Sequence, residues 1–343
     1  MKKTGSILLC LTAFLFSACA APVKEETVPH ATREFFAMDT YMTVTAYGEE
    51  CEDAVKQAEK EVHRLDRLLS AEDPDSEVYR INQTKSARLS EDSAFLTEKA
   101  AWIYNQTDGA YDITVYPLMT LWGFNGDHPS VPAEDTLQNT LLSVGFDKLT
   151  FQNNRLTLGK DQGIDFGGIA KGYASTRIMQ IFDRCHIHSG VVSLGGNVQC
   201  KGTKTDGSLW RCGITDPDYP EDNSRLAGVL QVSDKAVITS GGYERYFTEN
   251  GTTYHHIMHP GTGYPAESGL CSVTIVSEDG TLADGLSTAC FVMGKEKAVA
   301  FWKQHKELFD MVLIEDDRSM FITEGLRESF TSDREYAVIE NNK

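Results

Sequence analysis

The segment Gly163-Ile-Asp-Phe-Gly-Gly-Ile-Ala-Lys-Gly-Tyr-Ala174 constrains the fold more than any other part of the sequence. Two adjacent glycines permit a tight turn, and the apolar residues after them recur at helical spacing. We therefore predict a strand that ends at Asp165, a glycine turn, and a helix over residues 171–183. The N-terminus of that helix suits a phosphate, and Lys171 adds a positive charge there. A structural corner without a ligand explains this segment alone equally well.

Helical and strand-like patterns are intermixed along the rest of the chain. Apolar residues at steps of three and four over Glu52–Leu69 predict an amphipathic helix. Further patterns predict a strand over 35–47, helices over 93–106 and 135–143, a hairpin over 148–159 that turns at Asn153-Asn154, strands over 190–276, and a helix pair and strands beyond 282. This mixture predicts an α+β fold, a single domain over residues 35–335 with a mixed or antiparallel sheet and packed helices.

Composition limits the function. The chain has 343 residues, of which 41% are hydrophobic, so it can bury a sizeable core and is not disordered as a whole. Lys plus Arg number 32 against 50 for Asp plus Glu, which gives a formal net charge of −18. Such an acidic chain does not favour nucleic acid as a partner. Any phosphate-bearing ligand must be bound locally by backbone amides, a metal or a few cations.

The N-terminus has the pattern of an export signal. Lys2 and Lys3 precede an apolar stretch over 7–16 and the small residues Ser17-Ala18, which predicts a signal peptide over residues 1–18. The sequence Leu-Phe-Ser-Ala-Cys19 resembles the lipobox of bacterial lipoproteins, in which the cysteine is lipidated. We therefore expect an exported, membrane-anchored lipoprotein on the periplasmic or cell-surface side, with a tether over residues 19–34. An ordinary cleaved signal followed by a chance cysteine is the alternative.

The segment Ala283-Asp-Gly-Leu-Ser-Thr288 places Asp284 and Thr288 on one face of a helix predicted to begin near residue 284. Carboxylate and hydroxyl oxygens suit Mg²⁺, which usually takes one or two protein carboxylates together with phosphate oxygens and water. The simpler alternative is that Asp284 is the N-cap of this helix.

Three of the nine histidines fall within residues 254–265. An imidazole such as that of His256 can act as a general base near neutral pH. His255 and His259 have the spacing of a helical zinc site. Pro260, glycines and the lack of an HExxH glutamate predict a loop instead, so zinc is the weaker interpretation. Two further turns, over 193–197 and 239–243, either line a nucleotide pocket or only connect strands.

Six cysteines follow the predicted tether, and none has CxxC or metal-type spacing. Cys290 lies in an apolar run and is expected to be a small buried residue. An exported protein can pair such cysteines, but the sequence assigns no disulfide.

Five segments, in this order and spacing, resemble the ApbE family. They are Asp165-Phe-Gly-Gly-Ile-Ala-Lys-Gly, Leu194-Gly-Gly-Asn, Thr239-Ser-Gly-Gly-Tyr, His256-Ile-Met-His-Pro-Gly-Thr-Gly-Tyr-Pro and Ala283-Asp-Gly-Leu-Ser-Thr-Ala. The resemblance covers roughly residues 35–330. It also includes Met38-Asp-Thr-Tyr-Met, Asp75-Ser-Glu and Gly109-Ala-Tyr-Asp-Ile-Thr-Val-Tyr-Pro-Leu.

Members of this family are Mg²⁺-dependent FAD:protein FMN transferases, often lipoproteins. The resemblance implies FAD in a cleft with Mg²⁺ on its pyrophosphate. It implies a metal held by the main-chain carbonyl of Gly168 and by Asp284 and Thr288, with Ser287 adjacent. It implies flavin-nucleotide contacts at Met38, Glu72, Ala110, Tyr111, Asp112, Asp165, Lys171 and Ile257. His256 and Lys171 are the implied catalytic residues.

In the implied reaction, His256 assists a threonine hydroxyl of an acceptor protein, a flavoprotein subunit of a membrane redox complex. The hydroxyl attacks the FMN-side phosphorus and AMP leaves. Glu72 departs from the family, which usually has an aromatic residue there against the nucleotide. This departure keeps open a Mg²⁺-dependent FAD pyrophosphatase, in which water attacks instead. A non-catalytic flavin-binding lipoprotein is the third alternative.

Overall fold

The computed structural model describes residues 28–126, 128–222 and 224–341. The strands in these ranges are β1 (His30–Ala37), β2 (Thr40–Tyr47), β3 (Ser86–Arg88), β4 (Thr150–Gln152), β5 (Arg155–Thr157), β6 (Ser189–Leu194), β7 (Asn197–Lys201), β8 (Trp210–Thr215), β9 (Leu226–Val232), β10 (Ala236–Gly241), β11 (Tyr246–Glu249), β12 (Thr252–His255), β13 (Leu270–Ser277), β14 (Asp310–Glu315), β15 (Met320–Thr323), β16 (Phe330–Thr331) and β17 (Ala337–Ile339).

The helices are α1 (Cys51–Leu69), α2 (Glu77–Thr84), α3 (Glu91–Gln106), α4 (Tyr116–Trp122), α5 (Glu134–Leu141), α6 (Ala170–Arg184), α7 (Gly280–Met293) and α8 (Lys295–His305). Short 3-10 turns lie at Ile113–Val115, Phe146–Lys148 and Glu324–Leu326. The predicted signal peptide and Cys19 lie outside the described residues. Among the helices that are described, none is both long enough and apolar enough to cross a membrane.

The central sheet has nine strands in the order β1-β2-β6-β7-β10-β13-β14-β15-β17. Its neighbours pair antiparallel except β15 and β17, which are parallel. Smaller sheets have the orders β16-β9-β8, β3-β5-β4 and β11-β12. The predicted α+β class with a mixed sheet is therefore confirmed.

Two hydrophobic clusters lie on opposite faces of the central sheet. On one face, α1, α6 and α7 pack together, and their apolar stripes form most of the larger cluster. On the other face, the β16-β9-β8 sheet covers β7, β10, β13, β14 and β15 with a second cluster that includes Trp210, Cys212 and Leu230. The helices predicted over 52–69, 93–106, 135–143 and 171–183 are confirmed as α1, α3, α5 and α6, and the hairpin over 148–159 as β4–β5.

Three predictions about local structure need correction. The strand predicted over 35–47 is a hairpin, β1–β2, whose turn residues Met38 and Asp39 have positive φ angles of 48° and 59°. Strand β1 begins at His30, so residues 30–34 belong to the sheet and not to the predicted tether. Residues 163–165 form no strand. This segment is held by the Asn82 side chain, whose Oδ1 accepts from the Ile164 N–H at 2.8 Å and whose Nδ2 donates to the Ile164 carbonyl at 2.9 Å.

Candidate functional site

Asp284 lies in the second turn of α7, at the point where this helix crosses α6. The helix begins at Gly280, and its N-cap is Asp279, whose carboxylate accepts from the Leu282 N–H at 3.1 Å. The N-cap interpretation of Asp284 is therefore wrong. The Asp284 carboxylate is buried, with Oδ2 accepting from the Gly172 N–H at 2.7 Å and Oδ1 accepting from Asn197 Nδ2 at 3.0 Å.

The close crossing of α6 and α7 depends on glycine at position 172. A Cβ atom there would lie 2.2 Å from the Gly280 carbonyl oxygen and 2.5 Å from the Asp284 Cβ. Both distances are far inside van der Waals contact, so no larger residue fits without moving a helix. Gly172 thus brings the Ala-Lys-Gly segment against the Ala-Asp-Gly segment, and Asn197, the first residue of β7, reaches the same place.

Three hydroxyl groups lie beside Asp284. Ser287 Oγ donates to the Asp284 carbonyl oxygen at 2.7 Å. Ser240 Oγ, from β10, lies 2.7 Å from Ser287 Oγ and 3.3 Å from Thr288 Oγ1. The segment over 239–243 therefore contributes to the site through Ser240. We call Asp284, Ser287, Thr288 and Ser240 the Asp284 cluster.

Gly168 and Tyr111 complete this corner. A Cβ atom on Gly168 would lie 3.1 Å from Tyr111 Cε2 and 3.6 Å from Thr288 Oγ1, so the three residues are close neighbours. The Tyr111 hydroxyl is buried and has no hydrogen-bond partner within the described part of the chain. Buried hydroxyl groups rarely remain unpaired, so this one is suited to a water, a hydrated cation or a ligand oxygen.

The donors in this corner fit Mg²⁺. They are one carboxylate, hydroxyls and a main-chain carbonyl, all hard oxygen ligands. The described residues contain no group of three or more His, Cys, Asp and Glu side chains arranged to hold a metal. His255 is engaged elsewhere, since its Nε2 lies 3.1 Å from the Ala266 carbonyl oxygen and its Nδ1 accepts from the Ile257 N–H. The geometry therefore gives no support to zinc at His255 and His259.

The positive charge of Lys171 acts on the ionisable groups around it, among them Asp284, Glu244 and His256. Burial raises the pKa of Asp284, and the positive charge of Lys171 opposes this rise. Glu244 is an exposed residue, and partial desolvation of its carboxylate by the surrounding protein raises its pKa to about 7 against the opposing effect of Lys171. Glu244 is not among the residues expected from the sequence. The sequence feature that could have identified Glu244 is its position directly after the turn over residues 239–243.

His256 is half-buried and is oriented by Arg245. Its backbone N–H donates to the Arg245 carbonyl oxygen at 3.0 Å, and its ring Nδ1 lies 3.2 Å from the same oxygen. Because a carbonyl only accepts, this contact assigns the hydrogen to Nδ1 and leaves a lone pair on Nε2. Desolvation, followed by the charge of Arg245, lowers the pKa of His256 to about 3. The ring is therefore neutral at neutral pH.

Asp165 and Glu72 are close enough for their charges to interact. Asp165 Oδ1 accepts from the Gly167 N–H at 2.8 Å. Burial raises the pKa of Asp165, with Arg245 lowering it and Glu72 raising it further. The exposed Glu72 carboxylate accepts a hydrogen bond from the Tyr116 hydroxyl at 3.2 Å. An aromatic ring therefore lies next to the position where the family usually has one.

The remaining residues predicted to contact the nucleotide are Ala110, Asp112, Ile257 and Met38. The Asp112 carboxylate is occupied by the protein, accepting from the Thr114 N–H and hydroxyl and from the Phe146 N–H. Ala110 and Asp112 line a cavity of about 720 Å³ between α3, α7 and α8. Ile257 is buried behind His256. Met38 lies in the β1–β2 turn, and no hydrogen bond among the described residues joins it to the Asp284 cluster.

Comparisons with known proteins agree on one family. The model of the ApbE family matches residues 38–313. The FAD:protein FMN transferase of Vibrio cholerae serotype O1 is 33% identical over 268 residues, which are 74% of this chain and 79% of that protein. The enzyme of the same name from Treponema pallidum is 30% identical and covers 84% and 85% of the two chains.

Solved structures give the same result. The ApbE protein of Thermotoga maritima superposes with a TM-score of 0.81 at 32% identity, covering 90% of this chain and all of that one. The flavin transferase ApbE of Vibrio cholerae superposes with a TM-score of 0.79 at 25% identity, covering 88% of this chain and all of that one.

Proposed function

The chain belongs to the ApbE family, and from this membership and the geometry of its cleft we propose that it is a Mg²⁺-dependent FAD:protein FMN transferase. The enzyme transfers the FMN part of FAD to a threonine hydroxyl of an acceptor protein and releases AMP. The observation that carries the proposal is the convergence of Asp284, Thr288 and Gly168 beside the Tyr111 hydroxyl, which has no hydrogen-bond partner among the described residues.

The metal-binding residues in this proposal are Asp284, Thr288 and the main-chain carbonyl of Gly168, with Ser287 adjacent. The hydrogen bonds from Gly172 and Asn197 hold the Asp284 carboxylate in one orientation, and each carboxylate oxygen keeps a lone pair for a cation. When bound there, Mg²⁺ would supply positive charge to offset the negative charge of the FAD pyrophosphate.

His256 and Lys171 act on the reacting groups. The threonine oxygen attacks the FMN-side phosphorus, its proton passes to Nε2 of His256, and AMP leaves with the electrons of the broken phosphorus–oxygen bond. A phosphoester between FMN and threonine remains. The Arg245 carbonyl fixes Nδ1 as the protonated nitrogen, so Nε2 is free to accept. Lys171 offsets negative charge on the phosphates.

The low pKa of His256 belongs to the protein without substrate. Two of its causes are the positive charges of Arg245 and Lys171. The pyrophosphate of FAD brings negative charge to the same place, which raises the pKa of His256 and makes it a better base. Substrate binding thus prepares the proton transfer.

The flavin nucleotide is proposed to contact Glu72, Asp165 and Lys171, together with Met38, the Ala110-Tyr111-Asp112 segment and Ile257. Tyr116 offers an aromatic surface next to Glu72. Since the Asp112 carboxylate already accepts three hydrogen bonds, its contact is proposed through the main chain.

A second candidate function rests on Glu72. This exposed carboxylate stands where a stacking ring is usual, and a less tightly covered phosphorus is more open to water. An FAD pyrophosphatase that releases FMN and AMP uses the same Asp284 cluster. A flavin-binding lipoprotein without chemistry is less well supported, because binding alone requires no set of metal ligands.

We also propose that the folded part lies on the periplasmic or cell-surface side of a membrane. The support is the predicted signal peptide over residues 1–18, the predicted lipidation at Cys19 and the predicted tether. An acceptor subunit of a membrane redox complex is reachable from there.

The test combines the full chain with FAD, Mg²⁺ and a threonine-bearing acceptor fragment, and follows AMP and the acceptor by mass spectrometry. We expect AMP and an acceptor heavier by one FMN moiety, both requiring Mg²⁺. AMP with free FMN and unmodified acceptors would establish the pyrophosphatase. FAD binding without AMP release would establish the binder.

A further inference from the structure

Two of the six described cysteines are in direct contact. The Sγ atoms of Cys200 and Cys212 lie 3.8 Å apart, and both side chains are buried. All six are free thiols in the structure, and among the described residues no sulfur contact is found for the other four, Cys51, Cys185, Cys271 and Cys290. Closing 3.8 Å to a sulfur–sulfur bond of about 2.05 Å requires a displacement that side-chain rotation and small backbone shifts can supply.

The two cysteines lie on different sheets. Cys200 is in β7 of the central sheet, and Cys212 is in β8 of the three-stranded sheet that covers it. Both belong to the second hydrophobic cluster, whose apolar side chains pack the two sheets face to face, and the Trp210 Nε1–H donates to the Lys201 carbonyl across the same boundary. A covalent bond at this point would join the two layers and close a ring over residues 200–212.

Side chains alternate between the two faces of a strand, so the Cys200 side chain lies on the face of β7 away from the Asp284 cluster. Asn197 and Gln199 face the helices, where they contact Asp284 and Ser175. Cys200 is on the opposite face of the same strand, with Val198. A bond between Cys200 and Cys212 therefore leaves the donors of the Asp284 cluster in place.

We propose that Cys200 and Cys212 form a disulfide that ties the central sheet to its covering sheet. The two thiols lose two protons and two electrons as the sulfur–sulfur bond forms, and a disulfide oxidant accepts them and is reduced to two thiols. The reaction proceeds by thiol–disulfide exchange. Exported proteins meet oxidants of this class, so the proposed location is compatible with the bond.

Burial determines when the bond forms. Both side chains are buried, so an oxidant cannot reach either sulfur in the folded protein. Exchange is therefore expected during folding, before the sheets close over the sulfurs. Once formed, the disulfide is shielded from reductants by the same cluster.

The experiment refolds the full chain from urea in a buffer of reduced and oxidised glutathione, blocks remaining thiols and digests with trypsin. Lys201, Lys204 and Arg211 separate the two cysteines, so the bond joins two peptides. We expect this linked pair, lighter by two hydrogens than its reduced parts. Recovery of Cys200 and Cys212 as blocked free thiols, or linked to other cysteines, would overturn the proposal.

Two variants and one stability measurement sharpen the result. Cys271→Ser, at the described cysteine that is not fully buried, should keep the linked peptides, whereas Cys200→Ser should lose them. Because the ring restricts the unfolded chain, reduction should lower the melting temperature of the oxidised protein by about 5 °C. An equal melting temperature before and after reduction would contradict a bond between the sheets. If Cys200→Ser does not fold, the peptide map of the unaltered chain decides.

Discussion

The backbone N–H of Gly172 donates a 2.7 Å hydrogen bond to Oδ2 of Asp284. One contact thus joins the glycine-rich start of α6 to the carboxylate of α7. It occurs because neither glycine at the crossing, Gly172 or Gly280, carries a side chain. Helix packing and the orientation of the proposed metal ligand therefore have the same cause.

Gly172→Ala should destabilise the protein. Alanine is the better helix former by about 1 kcal/mol, but its Cβ would lie 2.2 Å from the Gly280 carbonyl oxygen, and such overpacking costs about 1–3 kcal/mol or more. We expect a net loss of about 2 kcal/mol in the free energy of unfolding, measured with urea. Gly126→Ala is the control, because the nearest atom to its Cβ is 4.0 Å away. Equal stability of the two variants would disprove the close crossing.

Tyr111→Phe should separate stability from activity. The Tyr111 hydroxyl has no partner among the described residues, so its removal breaks no hydrogen bond of the protein. The melting temperature should stay equal or rise, while kcat/KM for FAD should fall about tenfold, the effect of one lost hydrogen bond in the loaded site. Unchanged kinetics would show that this hydroxyl faces no ligand.

His256→Asn should slow transfer more than it weakens FAD binding. A general base contributes about 10²- to 10⁴-fold to a rate, and Asn cannot accept the threonine proton. Single-turnover transfer rates and FAD affinity are the measurements, with the exposed His188→Asn as the control. Equal losses in rate and affinity would assign His256 a positioning role.

Mg²⁺ binding should weaken as the pH falls. Burial raises the pKa of Asp284, so its carboxylate is protonated at a higher pH than an exposed aspartate, and the proton competes with the cation. Glu244, with a pKa of about 7, also gains a proton as the pH falls. Its carboxylate then no longer offsets the positive charge of Lys171. The apparent Mg²⁺ dissociation constant, measured calorimetrically from pH 8 to pH 5.5, should rise. Glu244→Gln should remove the part of this rise that occurs near pH 7. A Mg²⁺ dissociation constant that stays the same from pH 8 to pH 5.5 would contradict the expected competition between protons and Mg²⁺.

Much of the fold was predictable because its signals are local. The periodic apolar residues of α1 and the Asn153-Asn154 turn each carry their own pattern, and both are found where expected. The β1–β2 turn was missed because Met38 and Asp39 adopt positive φ angles without a glycine to indicate them. The segment before Asp165 was misassigned because a distant side chain, that of Asn82, replaces the strand partner.

The site was predictable only in part. Asp284 was found from its motif, but its alternative role as a helix cap was excluded only by the position of Asp279. Glu244 and Arg245 were missed because their importance depends on the fold, which brings them against Lys171 and His256. A contact between residues far apart in sequence produces no recognisable pattern in either segment by itself.

Asp284 is the residue proposed to hold Mg²⁺ for the transfer of FMN. The most direct test measures Mg²⁺-dependent AMP release from FAD, with a threonine-bearing acceptor present, for the unaltered chain, Asp284→Asn and Asp279→Asn. Asparagine caps a helix as well as aspartate does, so Asp279→Asn is a matched control on the same helix. We predict that Asp284→Asn, folded by circular dichroism, loses Mg²⁺-dependent release at least 100-fold while Asp279→Asn keeps it. Undiminished release from a folded Asp284→Asn variant would contradict the account.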